Sequence, residues 1–186
     1  PLPAAQSHVY YMINKPRGYL TRRNDPEERK SIFDLLEELP YRLEPIDHLD
    51  FNSSGILILT NDGKLTHALT DSARAIPRRY HVKIWKAPLT RQINRIRKGI
   101  KLEDGRTNPA KVRILESTES GNTWLEITVH ESRNKLIHRL FEAIGHPVSK
   151  LQRISFATIA LGNLSPGEVR PLTTTEIKRL KDIEKG

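Results

Sequence analysis

Asp50 is the residue in this chain best placed to do chemistry. It precedes the apolar run Gly55–Thr60, which has strand length and is closed by the turn formers Asn61-Asp62-Gly63. The run reads as a buried strand, with Asp50 on the loop at its mouth. Between them, Phe51-Asn52-Ser53-Ser54-Gly55 supplies side chains that bond local backbone and a glycine that permits close approach. A carboxylate held this way can act as a nucleophile or base. The same residues also fit an Asx turn ahead of a strand, and spacing alone leaves both readings open.

Other chemistries find less support. The chain has no cysteine, which removes disulfides and cysteine metal sites and fits a reducing compartment. His8, His67, His81, His130 and His146 are scattered, and His48 with Asp50 has no third ligand, so no metal is expected. A glycosidase would need two positioned carboxylates.

Charge points to a partner. Lys plus Arg is 31 against 22 acids, a net charge of +9, concentrated at residues 15–23, 74–91 and 95–101. Such a surplus suits a polyanion, because binding releases condensed counterions. Nucleic acid fits better than an anionic membrane, since no segment shows the apolar face of a membrane helix. No apolar run approaches the roughly 20 residues of a membrane span, and no signal-peptide pattern opens the sequence, so the protein is expected in the cytoplasm. A hydrophobic share of 37% in 186 residues suffices for the core of one or two small domains.

The elements that must hold Asp50 follow from periodicity. Strands are expected at residues 9–13, 55–60, 80–85, 110–117, 123–130 and 151–159, with a hairpin turn at 120–122. Helices are expected at 32–39 (capped by Ser31, ended by Pro40), 64–70, 91–98 (capped by Thr90), 134–144 and 174–183. Residues 21–30 and 74–79 read as exposed, charged loops. Strands and helices interspersed with a hairpin give an α+β class with a mixed or largely antiparallel sheet.

The stretch His48-Leu49-Asp50-Phe51-Asn52-Ser53-Ser54-Gly55 through Gly63 resembles the R-L-D-x-x-T/S-S/T-G-L-L-L-L-T-N-D-G signature of RsuA-like (RsuA/RluB-type) ribosomal RNA pseudouridine synthases. Asn14-Lys15-Pro16-Arg17-Gly18 resembles their N-K-P-x-G segment, and Arg79-Tyr80-His81-Val82 their K-x-Y-x-V segment. Residues 132–148 resemble G-R-N-R-Q-V/I-R-R-M-F-E-x-x-G-H-P-V, and residues 161–172 the terminal L-G-x-L-x-P-G-E-x-R-x-L. The likeness covers nearly the whole chain. It implies a pseudouridine synthase fold: a long bent sheet with flanking helices, two joined halves over residues 8–186, and a central catalytic cleft. By resemblance, residues 1–7 are expected to be the linker that follows a small RNA-binding domain in that family, the sequence being either a piece without that domain or a naturally short member.

By resemblance, Asp50 is the catalytic aspartate and Tyr80 the aromatic that packs on the target base. A uridine in structured ribosomal RNA would be flipped from its stack and isomerised to pseudouridine, without cofactor or metal, by a monomer. Departures fall around Asp50. The family glycine at 47 is aspartate, the arginine at 48 is His48, the glutamine at 136 is leucine, and the arginine that pairs with the aspartate is His138. Histidine imitates arginine only when protonated. Either His138 is an imidazolium partner of Asp50, or the protein is a catalytically impaired RNA-binding or ribosome-assembly protein on the same fold. Expected substrate contacts are His48, Asn52, Ser54, Lys15, Arg17, Arg78, Arg79, Asn134, Lys135 and Arg139.

Overall fold

The structure, a computed structural model, describes residues 7–118 and 121–186. The expected linker, up to residue 6, and residue 120 of the expected hairpin turn lie outside the described residues. The strands are β1 (Tyr10–Lys15), β2 (Glu44–Ile46), β3 (Ser54–Thr60), β4 (Arg78–Trp85), β5 (Lys101–Leu102), β6 (Gly105–Arg106), β7 (Lys111–Ser117), β8 (Asn122–Val129), β9 (Val148–Phe156), β10 (Ile159–Ala160) and β11 (Val169–Pro171). The helices are α1 (Gly63–Thr70), α2 (Thr90–Lys98), α3 (Leu136–Ala143) and α4 (Thr174–Lys185).

Nine strands form one mixed sheet in the order β11-β1-β3-β9-β4-β8-β7, with β2 on β3 and β10 on β9; β5 and β6 form a separate hairpin. All pairings in the large sheet are antiparallel except β3 with β9, a two-residue parallel joint at Ser54↔Gln152 and Gly55↔Arg153. This short joint connects the two halves of the sheet.

Burial explains why β3 is apolar throughout while β4 alternates. Leu57 and Leu59 of β3 face a core shared with α2, α3 and β8, whereas Ile56 and Ile58 face a second core shared with α1 and α4. A strand covered on both faces carries no polar side. On β4, Arg78, Tyr80, Val82 and Ile84 are buried, while Arg79, His81, Lys83 and Trp85 are more exposed, the period of a strand covered on one face. The Asn61-Asp62-Gly63 turn is also structural. Asp62 caps α1 by accepting from Leu65 N at 3.1 Å, and it accepts from Tyr10 Oη at 2.5 Å and Lys181 Nζ at 2.6 Å. One buried carboxylate thus ties β1 and α4 to the end of β3, and these donors hold it well below the usual carboxylate range.

Three helices differ from expectation. The helix expected at 32–39 is one 3₁₀ turn, Ile32–Leu35, with Ser31 and Asp34 in a reciprocal capping box. Glu37 and Glu38 would place negative charge at the negative end of a longer helix, and Pro40 constrains the residue before it. The helix expected from Asn134 starts at Leu136, because Lys135 takes a left-handed φ of 52°. This leaves Asn134 and Lys135 on a loop. Residue 89, not Thr90, is the N-cap of α2.

Gly55 has φ of 120°, and an added Cβ would overlap the Arg153 backbone. Gly55→Ala is therefore expected to destabilise the fold by at least about 2 kcal/mol, through backbone strain plus a clash that parts β3 from β9. Gly63→Ala opens the first turn of α1, and its Cβ would meet nothing within 4 Å, so it should be neutral or stabilising by up to about 1 kcal/mol. Urea denaturation of both variants checks the contrast.

Candidate active site

Asp50 occupies a tight loop, with Ser53 N donating to its carbonyl at 2.9 Å. The loop is pinned from beneath by Lys15. This side chain is fully buried, and its Nζ donates to Ser53 O at 2.6 Å, Pro16 O at 2.9 Å and Phe51 O at 3.4 Å. The lysine expected to touch phosphate is thus the anchor of the aspartate's loop. Burial pushes its pKa down to about 8, against the opposing pull of the Asp50 charge.

Asp50 opens into a cavity of about 270 Å³ whose walls include His48, Tyr80, Asn134, Lys135, Leu136 and His138. Residues 50, 80 and 138, some thirty to ninety positions apart in the chain, therefore meet in one pocket. Tyr80 reaches it from β4 with its ring almost wholly buried, and burial raises its phenol pKa. His138 lies on the first turn of α3. It makes no ion pair with Asp50, and its buried Nδ1 has no hydrogen-bond partner among the described residues. The expected imidazolium–carboxylate pair is thus not formed, since an imidazole is shorter than the guanidinium it replaces. Among the described residues the Asp50 carboxylate takes no hydrogen bond or ion pair. His48 is exposed at the rim, its Nδ1 3.3 Å from Thr21 Oγ1.

The paired carboxylate is Asp47. Its Oδ2 accepts from Arg78 Nε and Arg153 Nη1, each at 2.8 Å, and its Oδ1 accepts from Ser132 Oγ at 3.3 Å. Arg153, wholly buried, spends its remaining donors on Ile56 O at 2.9 and 3.0 Å. Arg78 also donates to Ile76 O at 2.9 Å. The two guanidiniums hold the Asp47 carboxyl below its ordinary pKa despite burial. Asp47 sits at φ of 69°, a left-handed conformation that explains a glycine in the resembling signature and that aspartate tolerates better than most residues.

The remaining expected contacts lie elsewhere. Arg17, Asn52 and Ser54 line a cleft with Trp124 and Lys150, and Arg79 lines another beside His81. Arg139 is held by Asp104 at 2.9 and 3.0 Å and donates to Asn134 O at 3.0 Å. Sequence reasoning missed Arg153, which looked like one more strand residue, and Arg133. Arg133 lines the pocket while bonding Glu131, Asp104 and the β5–β6 hairpin. No group of acids and histidines among the described residues could hold a metal ion, and no helix is long and apolar enough to cross a membrane.

The family model for RNA pseudouridylate synthase matches residues 9–143. The chain is 38% identical over 94% of its length, and 72% of the relative's, to ribosomal large subunit pseudouridine synthase B of Bacillus subtilis (strain 168). It is 40% identical over 94% of its length, and 70% of the relative's, to an uncharacterized RNA pseudouridine synthase of Aquifex aeolicus (strain VF5). A crystal structure of a pseudouridylate synthase superposes with a TM-score of 0.85 and 29% identity, covering 95% of this chain and 75% of that one. The chain therefore belongs to the RNA pseudouridylate synthases, isomerases acting on RNA, and within them to the RsuA/RluB type.

Removing the charge of Asp47 strands two buried guanidiniums. Asp47→Asn should cost about 3 to 5 kcal/mol at neutral pH. Because the folded pKa is depressed, the carboxylate's contribution is present above the unfolded value of about 3.9 and is lost as pH falls through the folded pKa. The stability gap between parent and variant should thus close as urea titrations move from pH 7 toward strongly acid conditions.

Proposed function

We propose that this protein converts a specific uridine of ribosomal RNA to pseudouridine, with Asp50 as the nucleophile or base toward the sugar or uracil ring. The observation that carries the reading is the Asp50 carboxylate, without a hydrogen-bond or ion-pair partner among the described residues, opening beside Tyr80 in a cavity of about 270 Å³. In the reaction the N1–C1′ bond of the flipped nucleotide breaks, the uracil turns, and a C5–C1′ bond replaces it. The C5 proton is lost and N1 gains one, so the change is an isomerisation needing no cofactor. Tyr80 gives the flipped base a stacking surface. The uncommitted His138 Nδ1 is a polar contact for the uracil or sugar. Lys15, whose charged form Asp50 favours, supplies the nearby positive charge that an arginine would otherwise give. The ribosomal target follows the named activity of the Bacillus relative, and the net charge of +9 suits it. A monomer in the cytoplasm fits such a substrate.

The reading is tested by mapping pseudouridines in ribosomal RNA from cells with and without the gene: one site should disappear. Purified Asp50→Asn should lose turnover by at least about a thousandfold while keeping RNA affinity, because the amide keeps the shape but can neither ionise nor attack.

Alkaline pH probes the anchor. Lys15 is charged below about 8 and loses its proton, and with it the charge facing Asp50, as pH rises through that value. Single-turnover rates should decline there, and Lys15→Met should be slow at every pH with no such limb. An alkaline decline that persists unchanged in Lys15→Met would assign the control to another group.

A further inference from the structure

The sheet is not covered evenly. α1 and α4 belong to the second core with β1 and β3, while α2 and α3 cover only the Tyr80 face of β4, β8 and β9. On the opposite face the register places Lys83 between Trp124 and Lys150, and His81 between Glu126 and Gln152. Two clefts on this face meet at Gln152, one beside Arg79 and His81, the other beside Trp124, Lys150 and Arg17.

The chemistry of this face is basic and aromatic. Glu126 is shared by His81 at 3.1 Å, Arg113 at 3.4 Å and Arg79 at 3.9 Å. Glu116, opposite Trp124 on β7, is the other carboxylate in register here. Lys83 Nζ lies 6.0 Å from the Trp124 ring centroid, and neither Lys83 nor Lys150 has an acidic partner among the described residues. The surface is also continuous with the active site. Asp50 and Ser53 line the catalytic cavity, while Asn52 and Ser54 of the same loop line the cleft with Trp124. One loop borders both.

We propose that this open face is a second RNA-binding surface. It takes an unpaired segment flanking the target uridine, with a base stacked on Trp124 and phosphates on Lys83 and Lys150. A partly exposed aromatic at one end of a sheet row that continues through two lysines without acidic partners among the described residues is what single-stranded RNA needs, because every base has a stacking face and every phosphate a charge. An acidic protein would use the lysines but has no reason to stack on the ring. The inference rests on the chain acting on uridine in RNA, and it adds that the RNA passes around the Asp50 loop and is held on both faces of the sheet.

The test compares two RNAs with the same target loop, one trimmed to its stem and one carrying single-stranded flanks. For the parent protein, the flanked RNA should bind more tightly with a steeper salt dependence. Trp124→Leu should raise its Kd and KM at least roughly fivefold, the lower end for losing one base stack, while Trp124→Phe retains the parent values. Lys83→Ala and Lys150→Ala should each flatten the log–log salt slope by about 0.7. None should change kcat on either RNA or affinity for the trimmed one, and circular dichroism should show parent-like folding. Flanked RNA that binds no tighter than trimmed, or a Trp124→Leu variant with parent Kd, overturns the inference. So does flanked-RNA binding that ignores the three variants while polyglutamate binding is lost, which would give the face to an acidic protein. Binding is measured apart from conversion: a parent protein that binds as expected but makes no pseudouridine refutes the isomerase reading and leaves this surface standing.

Discussion

The fully buried guanidinium of Arg153 is the contact on which the rest of the structure depends. Each of its three nitrogens donates, one to Asp47 and two to Ile56 O, and its backbone lies against Gly55. A cation without water is expensive, and only a well-oriented carboxylate with further hydrogen bonds offsets that cost. Asp47 meets this need and takes Arg78 as well. The network therefore clamps the loop before Asp50, the start of β4 that carries Tyr80, and the β3–β9 joint between the two cores. The side chains that line the Asp50 cavity thus hang from elements held at one ionic point.

That arrangement divides the labour between two aspartates. Asp47 neutralises permanent cations and is thereby withdrawn from chemistry. Asp50, three residues later, is left without a hydrogen-bond or ion-pair partner among the described residues, on a loop whose carbonyls are gathered by Lys15. Neither arginine pairs with Asp50; both bond Asp47 and backbone carbonyls instead. A lysine whose pKa burial pushes down to about 8 and an uncommitted histidine line the surroundings of the Asp50 carboxylate instead. The histidines at 48 and 138 are thus compatible with a formed pocket, because the loop geometry does not depend on either.

Much of this was legible in the order of residues. The apolar run of β3, the alternation of β4 and β8 and the turn at Asn61-Asp62-Gly63 carry their own periodicities, which depend on burial side and chain geometry alone. The helix expected at 32–39 failed because two acids at its end and Pro40 outweighed a good apolar stripe. The short strands β2, β10 and β11 have too few residues to show a period and exist only because a neighbour offers an edge.

The sequence by itself determined the family signature, the identity of Asp50 and Tyr80 as candidates, and a surplus of positive charge that suits RNA. These are matters of residue type and spacing. Only the tertiary structure decided which charges meet. Lys15, Arg17, Arg78, Arg79 and Arg139 are equivalent cations in a list, yet one anchors a loop, one closes a buried ion pair, one is held by Asp104, and two lie along the open side of the sheet. The physical reason is that a strand's side chains alternate between faces, so neighbours such as Arg78 and Arg79 end on opposite sides of a sheet. Whether a face is covered is settled by elements far away in the chain.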